Sequence, residues 1–307
     1  MGGDYQVIII GGGPAGLTSG LYSSRAGIKT LLIEKRLIGG QIVNVERIEN
    51  YPGFPDGISG SELADFMHRQ AVKHGLEILT NEVTAIENKA KFKKVETNQG
   101  SFDAEAIIIA SGCQRRKLEV PGENKFLGKG VSFCAICDGP LFKDRVLAVV
   151  GGGNAAITEA LSLTKFASAV KVIHRRHQLR AAKILQEKAF AEPKIDFLWD
   201  TIITEIQGDN VITRLKLQEI TTGKLSTLKV DGIFVAIGLV PNTGYLKGTI
   251  PLDKAGYIIT NDLMETKVPG IFAAGDIRYN SPRQVVTAAG DGAIAALSAE
   301  RFLTQLA

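Results

Sequence analysis

The sequence predicts a two-domain α/β fold in which one strand–turn–helix–strand unit occurs twice and the second copy interrupts the first. Three observations carry this. Residue 11 laid over residue 151 aligns two runs of the same pattern. Both copies finish on fully apolar runs closed by glycine, at 106–112 and 232–238. The residues left over, 245–307, hold one strand and one long helical pattern, too little to bury a core alone. They therefore return to complete the first copy.

In the first copy, Gln6 to Ile10 is a short apolar strand, followed by Gly11-Gly12-Gly13-Pro14-Ala15-Gly16. A helical pattern runs from Leu17 to Ala26, and a second apolar strand from Thr30 to Ile33. In the second, Val146 to Val150 leads into Gly151-Gly152-Gly153-Asn154-Ala155-Ala156, a helical pattern from Ile157 to Phe166 and a strand from Val170 to Ile173. Each unit closes 23 residues after its first glycine, at Glu34 and His174. Ala106 to Ala110 and Gly232 to Ala236 read as buried parallel strands, being apolar on both faces. Ile271 to Ala274 is a further strand, and Val285 to Leu306 a long helix. The expected domains are 1–115 with 245–307, and 118–243, joined near Arg116-Lys117 and Gly244-Tyr245.

Composition narrows the function. A chain of 307 residues suits two domains, and 45% hydrophobic with 22% charged residues is globular, not disordered. A net charge of +4 without a basic tract argues against nucleic acid. The apolar run at 7–10 stops at glycine, far short of the ~20 residues a spanning helix needs, so no membrane partner is expected. No secretory pattern precedes it, and Gln6 stands where a myristoylation motif wants Ser or Thr. Three cysteines are too few for a disulfide framework, so the chain reads as cytoplasmic.

The glycine turns carry specific chemistry. The first glycine permits a tight turn, the second a close approach of backbone to a pyrophosphate, and the third small residue tight helix–strand packing. The helix N-terminus adds partial positive charge. Two such turns, each between strand and helix, make Rossmann-like dinucleotide sites of Gly11, Gly13, Ala15 and Gly16, and of Gly151, Gly153, Asn154, Ala155 and Ala156. Glu34 ends the first unit, where a carboxylate accepts ribose hydroxyls. The second ends in His174-Arg175-Arg176, with Arg180 close behind, and guanidinium forks suit a 2′-phosphate. The second site should hold NADPH in preference to NADH. The plainer alternative is a solvated strand end.

Cys134-Ala135-Ile136-Cys137-Asp138 places two thiols where they can close a small disulfide ring. Zinc ligation with His174 and His177 is the alternative, but the 36 residues between the pairs fit no common finger. No metal is expected. Asp138 reads either as a turn residue before Gly139-Pro140 or as an acid that moves the exchange proton. Cys113 follows a buried strand and reads as a small packed side chain.

With GGGPAG at 11–16, GGQ at 39–41, ENYPG at 49–53, CAICDG at 134–139, GGGNAA at 151–156, HRRHQLRA at 174–181 and FAAGDI at 272–277, the chain resembles the low-molecular-weight, bacterial-type thioredoxin reductase family over its whole length. The resemblance implies a homodimer with FAD in the discontinuous domain and NADPH in the inserted one, which rotates between half-reactions. It implies that Gly11, Gly13, Pro14, Ala15 and Gly16 cradle the FAD pyrophosphate, with Glu34 at the ribose and Val83 at the adenine. Arg36, Gly39, Gly40, Gln41 and Asn50 would line the flavin, Gly275 and Asp276 its ribityl chain, and Arg283, Gln284 and Val285 the isoalloxazine. Cys137 would exchange electrons with the flavin, Cys134 would attack the disulfide of thioredoxin, and Asp138 would be the acid–base. Ser111 and Cys113 depart from the frequent Thr and Ala, and Ile136 from a small polar residue. The implied activity is NADPH-dependent thioredoxin-disulfide reduction. The rivals are a flavin-dependent dithiol oxidase, a ferredoxin-linked relative and a non-enzymatic flavoprotein redox sensor. A peroxide-defence relative would carry an extra thioredoxin-like region before Gln6.

Overall fold

The computed structural model describes residues 4–45, 47–89, 91–133, 135–246 and 248–306, setting aside the side chains of Asn44, Ile136, Cys137 and Leu306. The chain forms two compact units, Met1–Gln114 with Val240–Ala307, and Arg115–Leu239.

The first unit begins with β1 (Tyr5–Ile10), α1 (Pro14–Arg25), β2 (Thr30–Glu34), α2 (Gly60–Lys73) and β3 (Glu77–Thr80). An antiparallel ribbon, β4 (Val83–Asn88) and β5 (Lys93–Thr97), leads into β6 (Gly100–Ile109), and β7 (Cys113–Arg115) follows. The second unit holds β8 (Val131–Ser132), α3 (Ala135–Asp138), β9 (Val146–Val150), α4 (Asn154–Leu163), β10 (Ala169–Ile173), α5 (Lys183–Ala191) and β11 (Ile195–Leu198). A meander of β12 (Thr201–Gly208), β13 (Ile212–Glu219) and β14 (Leu225–Lys229) precedes β15 (Gly232–Val235). β16 (Leu239–Pro241) leads back to the first unit, which ends with β17 (Ile271–Ala273) and α6 (Val285–Leu306).

The first unit's parallel strands run β3-β2-β1-β6, with β17 on the far side of β6. β6 is long enough to serve twice. Its C-terminal half pairs in parallel with β1 and β17, while its N-terminal half pairs antiparallel with β5. Side chains alternate between two covered faces. Val7, Ile9, Leu32 and Ile108 pack with Leu17 of α1 and Ala295, Ala299 and Leu303 of α6. Ile8, Ile10, Ile33, Ile107 and Ile109 pack with Val83, Ile86 and Val95 of the ribbon. Burial on both faces is why these strands are continuous apolar runs with no alternation to betray them.

The second unit repeats the plan with a five-stranded parallel sheet, β11-β10-β9-β15-β8. α4 covers one face through Ile157, Ala160 and Leu163 against Leu147, Val149 and Phe234. The meander covers the other, placing Ile203, Ile206, Leu215 and Leu217 on Ala148, Val150, Ile233 and Val235.

Two details differ from the sequence reading. α1 and α4 begin at Pro14 and Asn154, three residues before the apolar pattern starts. In the first turn of each, only small residues reach the core, Ala15 and Gly16 in one and Ala156 in the other, so the pattern of large apolar residues starts late. α4 also stops at Leu163, where Phe166 N–H turns back to the Leu163 carbonyl in a tighter i−3 bond. Among the described residues, no helix is long and apolar enough to cross a membrane.

Candidate active site

In each unit the predicted residues lie just past the C-terminal ends of the parallel strands, where open α/β sheets bind ligands. In the first unit, β1 ends at Ile10, β2 at Glu34, β6 at Ile109 and β17 at Ala273. Their following loops carry residues 11–16, 36–41 and 275–285 to one edge.

Gly11 has a φ of +107°, and a Cβ built there would lie 2.4 Å from the Ala110 carbonyl oxygen. A Cβ on Gly16 would fall 1.8 Å from the Gly11 carbonyl oxygen, so only glycine lets α1 sit this close to β1. Gly13 is different in kind. Its Cβ would meet only the Gly40 Cα, at 3.9 Å, so the ground before it is open. Gly13 is also the N-cap of α1, with no side-chain cap and Pro14 behind it. The first-turn N–H groups therefore have no side-chain acceptor, as an anion-binding helix start requires. Ala15 and Gly16 are buried beneath that turn.

The remaining residues of this edge interlock. Glu34 accepts the Gly12 N–H through Oε2 at 2.7 Å and the Arg36 N–H through Oε1 at 2.9 Å. Gly39 N–H reaches the Gly12 carbonyl at 2.8 Å, which draws the 39–41 loop over the turn. Gln41 Nε2 donates to the Cys113 carbonyl at 2.7 Å, and Asn50 Nδ2 to Gln284 Oε1 at 2.9 Å. Arg283 adopts a φ of +59°, strained for a side chain, and donates from Nη2 to Tyr257 Oη at 3.1 Å. Val285 starts α6, and Val83, nearly buried, opens β4. Burial raises the Asp276 carboxyl pKa above its ordinary value, against the pull of Arg283. The Cys113 thiol donates to the Asp276 carbonyl at 3.0 Å, and burial with the nearby Asp276 charge pushes its pKa up to about 11. These contacts fit a nucleotide cradle on chemistry alone: free N–H groups, an acid beyond the second strand, and open space before Gly13.

The second unit repeats the cradle with different charge. Gly151 has a φ of +143°, and its Cβ would lie 2.4 Å from the Ala236 carbonyl and 2.7 Å from Ala156 Cβ. Gly153, the uncapped N-cap of α4, has nothing within 4 Å of a built Cβ. Asn154 and Ala155 are exposed on the first turn, and Asn154 Oδ1 accepts the Ala182 N–H at 2.7 Å. The Arg180 N–H bonds the Gly152 carbonyl at 2.7 Å, tying the arginine segment to the glycine turn. Arg175, Arg176 and Arg180 all stand exposed.

His174 lies apart from the exposed arginines that follow it. Its ring is only 5% exposed, lies under Gly152, meets Trp199 edge-on and bonds the Gln178 carbonyl through Nε2 at 3.0 Å. Burial, reinforced by the three arginines, lowers its pKa below the ordinary value and favours the neutral ring. It floors the glycine turn, its side chain directed inward at the end of the strand. His177 is exposed, with Nδ1 4.0 Å from Asp200 Oδ1.

Cys134 lies outside the described residues, as does the Cys137 side chain. The segment around them is anchored in the second unit. Ala135 is fully buried, Gly139 packs against Leu163 and Phe166, and Phe142 meets Phe234 edge-on. Asp138 Oδ2 accepts the Ser132 hydroxyl at 2.5 Å.

Sequence reasoning missed Ser132, Tyr257, Arg278 and Asp291. Only the last left a trace, as the single acid in the small-residue stretch Ala288-Ala289-Gly290-Asp291-Gly292-Ala293.

The chain matches the family described as pyridine nucleotide-disulphide oxidoreductase over residues 5–292. It is similar to a thioredoxin reductase of Listeria innocua, 46% identical over 303 residues, 98% of this chain and 95% of the relative. One from Bacillus subtilis is also 46% identical over 303 residues, covering 98% and 96%. The crystal structure of Lactococcus lactis thioredoxin reductase, in its FR conformation, matches with a TM-score of 0.80 at 44% identity, covering 98% of this chain and all of that one.

Proposed function

This chain belongs to the pyridine nucleotide-disulphide oxidoreductase family, and from that premise we propose that it is a thioredoxin-disulfide reductase. It passes two electrons from NADPH through FAD and the Cys134–Cys137 pair to thioredoxin. The observation that carries this reading is the pairing of two matched glycine cradles of opposite charge with a Cys-x-x-Cys-Asp segment on one chain.

The first unit holds FAD. Around Pro14, which has no N–H of its own, Gly13 and Ala15 offer backbone N–H groups to its pyrophosphate, the Glu34 carboxyl accepts ribose hydroxyls, and Val83 offers backbone to the adenine. Gly39, Gly40, Gln41, Asn50, Arg283, Gln284 and Val285 border the ring system, and Gly275 and Asp276 the ribityl chain. FAD, when bound, supplies hydride acceptance and two-electron transfer, which no side chain provides. The second unit holds NADPH. Gly153, Asn154 and Ala155 face its pyrophosphate, and Arg175, Arg176 and Arg180 its 2′-phosphate, charge-assisted contacts that NADH cannot make.

Cys134, as thiolate, attacks the disulfide of thioredoxin. Cys137 then closes the internal disulfide and releases the reduced partner. Each exchange expels a thiolate that needs a proton, and Asp138, held by Ser132, gives and takes it.

The protein acts as a homodimer in the cytoplasm, where partner thiols are kept reduced. Exposed Tyr22 of α1, Phe66 of α2, and Val286, Ile294 and Leu297 of α6 support self-association of the first unit. The arginine cluster speaks against a ferredoxin-linked reductase or a dithiol oxidase, neither of which needs a 2′-phosphate site. Anaerobic titration decides: NADPH should bleach the flavin band stoichiometrically and NADH only weakly. A band that NADPH leaves intact would reject the reading.

A further inference from the structure

Asp291 of α6 is nearly buried, and its Oδ2 receives three donors. Gly275 N–H reaches it at 3.0 Å, and Arg278 reaches it through Nε and Nη2, each at 2.8 Å. Arg278 is itself only 13% exposed, and its other described partner is Thr260 Oγ1 at 2.9 Å. The next residue, Gly292, touches the other half of the first cradle. A Cβ there would lie 2.2 Å from the Ala15 carbonyl oxygen, and Ser19 Oγ bonds both the Ala15 and Gly292 carbonyls, at 2.9 and 3.0 Å. Gly275, at a φ of +78°, comes up against Ala15 as well, its Cβ position 3.0 Å from the Ala15 Cβ. One step of α6 thus joins two segments some 260 residues apart, the glycine turn at 11–16 and the turn at Gly275–Ile277.

We propose that Asp291 is a positioning residue for the flavin nucleotide: by holding the Gly275 N–H while Gly292 seats on Ala15, it keeps the two halves of the FAD cradle in register. Arg278 is the charge partner that holds the Asp291 side chain in place. The proposal rests on residues 11–16 and 275–276 being the FAD cradle. It concerns binding geometry, and Asp291 touches no reacting atom.

A carboxylate removed from this site leaves a buried guanidinium without its charge partner, so stability alone would suffer. Two variants separate that loss from positioning. Asp291→Ala removes the acceptor, and Asp291→Met with Arg278→Met removes both charges and restores apolar packing. The full-length apoprotein of each is reconstituted with FAD, reading affinity by flavin fluorescence and ring environment by visible circular dichroism, alongside thermal unfolding of the apoprotein.

The expected result is FAD affinity reduced about tenfold or more in both variants, with an altered dichroism band, while the double variant regains the thermal stability of the parent. Asp291→Asn, which keeps an acceptor oxygen for Gly275, should recover part of the affinity. The proposal is overturned if the double variant recovers parental FAD affinity together with its stability, or if Asp291→Ala binds FAD within about twofold of the parent. Gly13→Asp tests the underlying reading, since open space lets it fold while its charge opposes a pyrophosphate. FAD retained by Gly13→Asp rejects the cradle itself and the proposal with it. FAD lost by Gly13→Asp but kept by the Asp291 variants rejects the positioning role alone.

Discussion

Gly152 packs face-on to the His174 ring, so that a Cβ built on the glycine would lie 2.4 to 2.5 Å from three ring atoms. The equivalent glycine of the first unit, Gly12, instead donates its N–H to Glu34 at 2.7 Å. One slot beyond the second strand is thus filled by an acid in one unit and a buried imidazole in the other. Gly152→Ala must displace a ring that has nowhere to go, which costs about 1–3 kcal/mol as overpacking. Gly153→Ala, with open space around it, should change stability by less than about 0.5 kcal/mol. Thermal unfolding and the KM for NADPH should both separate the two variants. Equal behaviour would show that the ring does not floor the turn.

The exposed arginines should set coenzyme choice. Arg175→Ala with Arg176→Ala removes charge-assisted bonds worth roughly 1.5–3 kcal/mol each, so kcat/KM for NADPH should fall by about two orders of magnitude or more. The value for NADH should hardly move, and the preference should weaken as salt rises. An unchanged NADPH to NADH ratio would place the 2′-phosphate elsewhere.

Glu159 of α4 gives the second unit a pH dependence. Burial pushes its carboxyl up to about 7, although Arg115 Nη1 lies 3.6 Å from Oε1, and Oε2 has no hydrogen-bond partner among the described residues. A folded-state pKa above the unfolded value means that the folded chain keeps a proton the unfolded chain releases. This contribution is full below about pH 4.5 and is lost as pH rises through about 7. Glu159→Gln should match the parent's stability near about pH 5 and exceed it near about pH 8, by a few kcal/mol at most. Parallel Tm curves would contradict the assignment.

The parallel halves of the fold were legible because strands such as Ile8–Ile10 and Leu147–Val150 are apolar on both faces and run into glycine turns. The antiparallel meander was not. β13 alternates buried Leu215 and Leu217 with exposed Arg214 and Lys216, and no glycine motif announces it. At the site, Glu34 and the arginines were legible because chemistry at a fixed offset from the glycines names them. Asp291 and Arg278 were not, because their partner Gly275 is supplied by tertiary packing and a lone acid in a helix reads as a solvated face. The burial of His174 was not legible for the converse reason: its neighbours in sequence are exposed, while its ring turns inward.

Cys113 should stay inert while the Cys134–Cys137 pair reacts. Its thiol is buried, bonded to the Asp276 carbonyl, and pushed up to about 11, leaving roughly one part in ten thousand as thiolate at neutral pH. In the reduced native protein, two thiols should react rapidly with Ellman's reagent and the third only after denaturation. Cys113→Ala should keep thioredoxin reduction near the parental rate. Three thiols reacting together would show that the Asp276 turn opens readily.

Electrons should reach thioredoxin through Cys134. Reducing the flavin of Cys134→Ser with NADPH under argon, and then adding oxidised thioredoxin, tests it most directly. The parent should bleach and then recover its absorbance on adding thioredoxin, while Cys134→Ser should bleach and stay bleached. Recovery of the mutant at the parental rate would mean that electrons bypass Cys134.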